Sequence, residues 1–253
     1  GSSLYLRPFM FASEEFVGVH PAGVVDYYVI GSPSGPYFKG GLSGVAIWVE
    51  REYHRAGPGG TGSAKAGGNY AASLLPQIQA EAKGFSQVCF LDTYEGKYLE
   101  ELGGMNMFVV MADGSVRTPE LSGVILEGCT RSAILRLLRD DGVGVFEERI
   151  ALSEVVDGIR SGAVSEVFAC GTAAVVTPIT RLATTSTWRS RSGRRPARST
   201  SASPTSSGVA PRIPTAGRTA WSEHDRLKEP RPRRLREAVA SLCGRDAKLV
   251  VTG

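Results

Sequence analysis

The chain has 253 residues, enough for one large domain or two small ones, and 42% of them are hydrophobic, enough for a packed core. Its net charge of +4 hides a split: residues 1–180 carry −7 and residues 181–253 carry +11. An asymmetry of that size marks a tail or a second module.

Cys89, Cys129, Cys170 and Cys243 are widely spaced, and no C-x-x-C pair occurs. Neither a zinc site nor a disulfide framework is suggested, and a reducing, cytoplasmic setting fits. No apolar run is long enough to span a bilayer. The opening GSSLYLRP has no initiator methionine and no signal peptide, so it reads as the interior of a longer protein.

Residues 1–38 alternate apolar and polar positions, with β-rich runs at 3–7 and 27–30 between prolines and glycines. Strands and turns are expected there. KGGLSG at 39–44 has linker composition, and VAIWV at 45–49 is a buried-strand candidate. A helix is expected over 69–83, capped by Asn69, with Leu74, Leu75, Ile78 and Ala82 as its apolar face. Pro76 falls inside that helix, where a proline costs ~3 kcal/mol or forces a kink. Residues 88–91 form a short buried strand, and 107–111 with 115–117 form a hairpin around Asp113-Gly114. A second helix is expected over 131–140, with Ile134, Leu137 and Leu138 inward and Gly142 closing it. A strand at 143–150, a helix at 153–161 begun by a Ser153 cap, and a strand at 167–169 follow. This alternation predicts a mixed α/β (α+β) domain. Past Ile179 the periodicity stops until 235–250, and residues 181–232 read as basic and disordered.

The stretch GPGGTGSAKAGGNYAA, residues 57–72, organises the chain. Glycine and alanine flank Lys65 on both sides and leave room for a bulky group against it. A lysine whose surroundings lower its pKa forms Schiff bases with aldehydes. The plain alternative is a solvated loop lysine, the usual case for a lone one. Gly57 and Gly62 have P-loop separation, but Ser63 stands where that motif needs lysine, so nucleotide-phosphate binding is rejected. Gly128-Cys129-Thr130 enters a helix and Gly171-Thr172-Ala173 is a second glycine turn; both are candidate anion cradles, or else ordinary turns. Glu100 and Glu101 could hold a ring nitrogen, or form a solvated acidic pair.

The order and spacing of these signals are more specific than any one of them. YLRP, AKAGGNYAAS, EELGGMN, GVILEGCTR and EVFACGTAAVVTP together resemble the branched-chain amino acid aminotransferases, class IV enzymes that use pyridoxal 5'-phosphate, of actinobacterial kind. The resemblance covers residues 1–180. It implies a two-domain fold: a small α/β sandwich domain of which only residues 1–38 are present, a linker at 39–44, and a barrel-like large domain at 45–180. It implies amino transfer between leucine, isoleucine or valine and 2-oxoglutarate, with glutamate and branched-chain keto acids as the other partners, and a homodimer. D-Amino acid aminotransferase or aminodeoxychorismate lyase, or an inactive fragment, are the alternatives.

Carried over by motif, Lys65 would be the Schiff-base lysine and proton shuttle. Glu101 would pair with the pyridine nitrogen, Tyr70 would bond the ring hydroxyl, and Leu126 would pack on the ring. Cys129, Thr130 and Thr172 would hold the phosphate. Thr172 and Ala173 would face the substrate carboxylate, with Tyr5 and Arg7 at the substrate pocket and Arg7 suited to the distal carboxylate of glutamate. The chain departs from the family pattern at Glu127, where proline is usual, at Cys129, and at Pro76. No metal is implied.

The family's closing motifs are absent past Ile179. A neighbouring reading frame of residues 205–223 admits DIQRGGPADTHGWTDRLV and then a stop, which matches them, so residues 181–253 are expected to be an out-of-frame tail. A genuine arginine-rich tail that binds nucleic acid ranks well below this, since its only interleaved aromatics are Trp188 and Trp221.

Overall fold

The computed structural model describes residues 3–35, 44–183 and 250–252. Expectations for residues 39–43 and for 184–249 lie outside these. The first two strands, β1 (Ser3–Ala12) and β2 (Val25–Ser34), pair antiparallel along their whole length, from Ser3↔Ser34 to Ala12↔Val25. They extend well past the two short runs read from the sequence. Together they form a sheet of their own, on which Phe9, Phe11 and Tyr28 stack.

Among the described residues the second sheet holds nine strands: β3 (Val45–Val49), β4 (Gln87–Leu91), β5 (Leu99–Leu102), β6 (Asn106–Met111), β7 (Val116–Pro119), β8 (Val145–Glu148), β9 (Val164–Gly171), β10 (Val175–Ala183) and β11 (Val250–Thr252). Their order is β5-β4-β3-β10-β9-β6-β7-β8, with β11 beside β10. Every residue of β4 is buried, as continuous apolar runs are when a sheet is covered on both faces.

β10 joins the two halves of this sheet. Val175–Pro178 pair antiparallel with β9, and beyond an irregularity at Ile179/Arg181 the strand runs parallel to β3. Pro178 lies at that switch of partners, where a residue without an N–H is tolerated. The strand continues to Ala183, with Leu182 and Ala183 buried, so the sheet runs three residues past the boundary expected at 180.

Three helices among the described residues cover the sheet: α1 (Gly67–Ala82), α2 (Cys129–Asp140) and α3 (Leu152–Ser161). Strand alternation divides the core between two faces. Val109, Ile47 and Leu182 pack with Leu152 and Val155 of α3. Phe108 and Phe168, stacked 5.0 Å apart, pack with Leu135 and Leu138 of α2, and Trp48 and Phe90 pack with Ala80 of α1. None of these helices is long and apolar enough to cross a membrane.

Each helix corrects an expectation. α1 begins at Gly67 after Ala66, with no side-chain cap, and Asn69 lies inside its first turn. Its buried face is Asn69, Ser73, Pro76 and Ala80, whereas Leu74, Leu75, Ile78 and Ala82 are exposed. Small residues face inward, with Ala80 packed against Trp48 and Phe90. In α2, Leu137 is 60% exposed and Arg131 is buried in its stead. Arg131 bonds the Pro119 carbonyl at 3.0 Å and Glu147 at 2.8 Å, which turns the inward face toward Leu135 and Leu138. In α3 the cap position is Ala151 rather than Ser153; the Leu152 N–H donates to the Lys97 carbonyl at 2.9 Å and fixes the helix start instead.

The two neighbouring leucines of α2 test this geometry. Leu138→Ala, at a fully buried site, should cost about 2–5 kcal/mol, and Leu137→Ala should change stability by roughly 0.5 kcal/mol or less. Urea unfolding midpoints of the two variants check it.

Candidate active site

Lys65 sits on the loop between β3 and α1. Its Nζ lies 2.8 Å from Tyr70 Oη, donating to that hydroxyl. The lysine is exposed, so the enclosed apolar setting expected from its glycine neighbours is not formed by the described residues. What fixes it is the loop itself. Asn69 Nδ2 donates to the carbonyls of Thr61 (2.7 Å) and Ala64 (2.9 Å), and its Oδ1 accepts from Thr61 Oγ1 (2.8 Å). Instead of capping the helix, Asn69 reaches back and pins the loop that precedes it. Gly62 is pressed against the Val124 backbone so closely that a Cβ there would collide with the carbonyl oxygen.

Glu101, on β5, is 2% exposed. Its Oε1 accepts from Arg55 Nη1 at 2.9 Å and from the Leu126 N–H at 2.7 Å. Burial pushes its carboxyl up to about 7, against the pull of Arg55 and the Leu126 N–H; Glu100 adds to the rise and Lys65 opposes it. Glu100 points to the other side of the strand, toward a cavity of about 460 Å³ that Asp92, Tyr98 and Ile125 help to line. Burial, and then Asp92, pushes Glu100 up to about 7 as well. The two glutamates therefore differ in role: Glu101 is held by bonds, and Glu100 has none to a described residue.

Leu126, Cys129 and Thr130 follow on the segment that enters α2. Asn106 Nδ2 donates to the Leu126 carbonyl at 2.8 Å. Gly128 takes a φ of 70° and leaves no room for a Cβ beside Asn106 Oδ1. α2 has no side-chain cap, so the N–H groups of Cys129 and Thr130 at its start are not used by the helix. Thr172 and Ala173 are exposed in the β9–β10 turn. That turn lies beside the others: Cys170 pairs with Asn106, and Gly171 packs on Met105. Its last strained point is Val175, a β-branched residue with φ 55°.

Lys65, Tyr70, Glu101, Leu126, Cys129, Thr130 and Thr172 thus belong to one connected set of segments. Tyr5 and Arg7 lie apart from it on β1, where the Arg7 guanidinium stands 5.0 Å from the Tyr5 ring and no bond among the described residues ties either to Lys65. Glu127 is exposed just before Gly128. Reading the sequence missed Arg55, and it missed the clamping roles of Asn69 and Asn106. The motif residues GGNY and GGMN did carry the two asparagines. For Arg55 no local signal existed, since its partners Glu101 and Val124 are far along the chain.

The larger, curled mixed sheet with its covering helices has the class IV aminotransferase fold. The family profile for class IV amino-transferases matches residues 5–182, and the chain belongs to that family. It is 54% identical over 183 residues to the branched-chain-amino-acid aminotransferase of Mycobacterium tuberculosis (strain CDC 1551 / Oshkosh), covering 71% of this chain and 50% of that one. The crystal structure of the branched-chain amino acid aminotransferase of Escherichia coli superposes with a TM-score of 0.62 at 33% identity, over 71% of this chain and 57% of that one. The branched-chain amino acid aminotransferase of Thermobaculum terrenum, solved in its PLP-form, gives a TM-score of 0.58 at 25% identity, over 71% of this chain and 56% of that one. The chain therefore spans about half the length of the curated relatives it matches.

The raised Glu100 carboxyl sets a pH signature. A folded pKa of about 7 against an ordinary 4.5 favours the fold at low pH, and that contribution is lost as pH rises through about 7. Glu100→Gln should therefore match the parent at pH 4 and exceed it by roughly 1–3 kcal/mol at pH 8. Paired urea titrations at the two pH values check this.

Proposed function

We propose that this chain carries the cofactor half of a branched-chain amino acid aminotransferase, exchanging amino groups between leucine, isoleucine or valine and 2-oxoglutarate, with a branched-chain keto acid and glutamate as products. The observation that carries the reading is Lys65 Nζ held 2.8 Å from Tyr70 Oη on a loop clamped by Asn69 and Arg55. The high identity to named branched-chain enzymes supports the substrate class.

The donor set fits pyridoxal 5'-phosphate. An amine, a hydroxyl beside it, a carboxylate with one uncommitted oxygen and a row of free helix N–H groups match an aldehyde, a ring hydroxyl, a ring nitrogen and a phosphate. When bound, that cofactor supplies a carbonyl that condenses with amines and a ring that draws electrons from the α-carbon.

The residues divide the remaining work. Lys65 Nζ would take the proton from the substrate α-carbon and deliver it to the carbon that carried the cofactor's carbonyl. Tyr70 Oη, bonded to that amine, would bond the ring hydroxyl oxygen. Glu101 Oε2 would pair with the ring nitrogen. Leu126 would pack on the ring. The N–H groups of Cys129 and Thr130, with Thr172, would hold the phosphate at the positive end of α2. Thr172 and Ala173 also meet the substrate α-carboxylate, and Tyr5 and Arg7 serve the substrate side, Arg7 for the distal carboxylate of glutamate. The same reading includes a homodimer, which the apolar side chains left exposed on the β1–β2 hairpin support, and a cytoplasmic setting, which the free thiols Cys89, Cys129 and Cys170 support.

Borohydride treatment after incubation with pyridoxal 5'-phosphate should fix the cofactor covalently to the peptide that contains Lys65, and Lys65→Ala should abolish the fixation. Cofactor bound without fixation, or fixed elsewhere, would overturn the reading. Mass spectrometry of the digest decides.

A further inference from the structure

We propose that Arg55 is a positioning residue that sets both the charge and the orientation of Glu101, and through it the protonation of the ring nitrogen; the inference rests on the reading of the site given above.

Three observations converge on one guanidinium. Arg55 is 4% exposed. Its Nη1 donates to Glu101 Oε1 (2.9 Å), to the Val124 carbonyl (2.8 Å) and to the Gly62 carbonyl (3.3 Å), and Nη2 reaches Gly62 as well (3.4 Å). A single side chain therefore ties together the lysine loop, the ring carboxylate and the segment that ends at Leu126. Second, the Leu126 N–H donates to the same oxygen, Oε1. Two donors on one carboxylate oxygen fix its torsion and leave Oε2, which has no bond among the described residues, as the oxygen presented to a ligand. Third, Arg55 Nε is buried with no partner among the described residues, so the guanidinium is held by its Nη atoms alone.

The electrostatics follow from who faces Glu101. Arg55 and Lys65 favour its anion, while burial and Glu100 oppose it; Cys89, on the neighbouring strand, is a thiol that burial, and then Glu100 and Glu101, push up to about 12, so it stays neutral. Take away the Arg55 charge and only the Leu126 N–H and the exposed Lys65 are left to offset the burial of Glu101. That loss shifts the proton toward Oε2. Arg55, when present, weakens Oε2 as a base and shifts a shared proton toward the pyridine nitrogen. Lysine in place of Arg55 keeps the charge, but a point ammonium cannot span Oε1, Val124 and Gly62 together.

The test starts from the full chain without cofactor, with glutamate labelled at the side-chain carboxyl carbon and Glu101 assigned by Glu101→Gln. Arg55→Met should raise the Glu101 titration midpoint by about one pH unit or more. Arg55→Lys should move it by less than about half a unit. Pyridoxal 5'-phosphate affinity, measured by equilibrium dialysis, should fall about tenfold or more in Arg55→Met and several-fold in Arg55→Lys, which loses the fork. A Glu101 midpoint unchanged in folded Arg55→Met overturns the proposal. If Arg55→Met does not fold, Arg55→Lys decides: cofactor affinity equal to the parent's overturns it. Failure of the parent to bind the cofactor would sink the functional reading instead, and the titration, made without cofactor, would still report on Arg55 and Glu101.

Discussion

The site depends on a buried ion pair. Arg55 and Glu101 are both almost fully out of water, 4% and 2% exposed, and two charges in that position are costly unless nearly every donor and acceptor is met. Here the cost is met by backbone. The Val124 and Gly62 carbonyls take the arginine, and the Leu126 N–H takes the glutamate. The pair therefore belongs to three chain segments at once, and none of them can move without leaving a charge stranded. This makes a set of loops as well defined as the strands that carry them, and it explains why Gly62 has no room for a side chain where it meets Val124.

Around that pair the molecule leaves its useful groups uncommitted. α2 starts without a capping side chain, although its sequence has Thr130 and Ser132 close by. Its first N–H groups are then available to an anion. Asn106 and Asn69 spend their amides on carbonyls of neighbouring loops, which rigidifies the frame around Lys65, Tyr70 and the buried Glu101. The buried asparagines here hold loops still.

Much of this was legible in the sequence. Buried strands such as 45–49 and 88–91 announced themselves by unbroken apolar runs, and the Asp113-Gly114 turn placed its hairpin, where Asp113 accepts from Ser115. The candidate site residues Lys65, Glu101 and Leu126 came from motif order, and the fold brings their segments together through Arg55. The helix faces were misread for one physical reason. Periodicity assigns inward positions to the most apolar residues, but α1 turns Ser73, Pro76 and Ala80 inward, and α2 buries Arg131 because Glu147 and Pro119 await it. Arg55 was invisible for a related reason: a buried charge looks like a surface charge until its partner, far along the chain, is known.

The double pairing of β10 bears on the order in which the chain is made. β3 leaves the ribosome early, yet its partner arrives a full 135 residues later, where Thr180 bonds back to Val45. Until then β3 has only β4 to pair with, and its other edge is an open template of unpaired N–H and C=O groups. The lysine loop hangs from that same strand. During synthesis the half of the sheet that carries Lys65 is therefore unanchored, at risk of pairing with another nascent chain, until β10 has emerged through residue 183 and paired with β3.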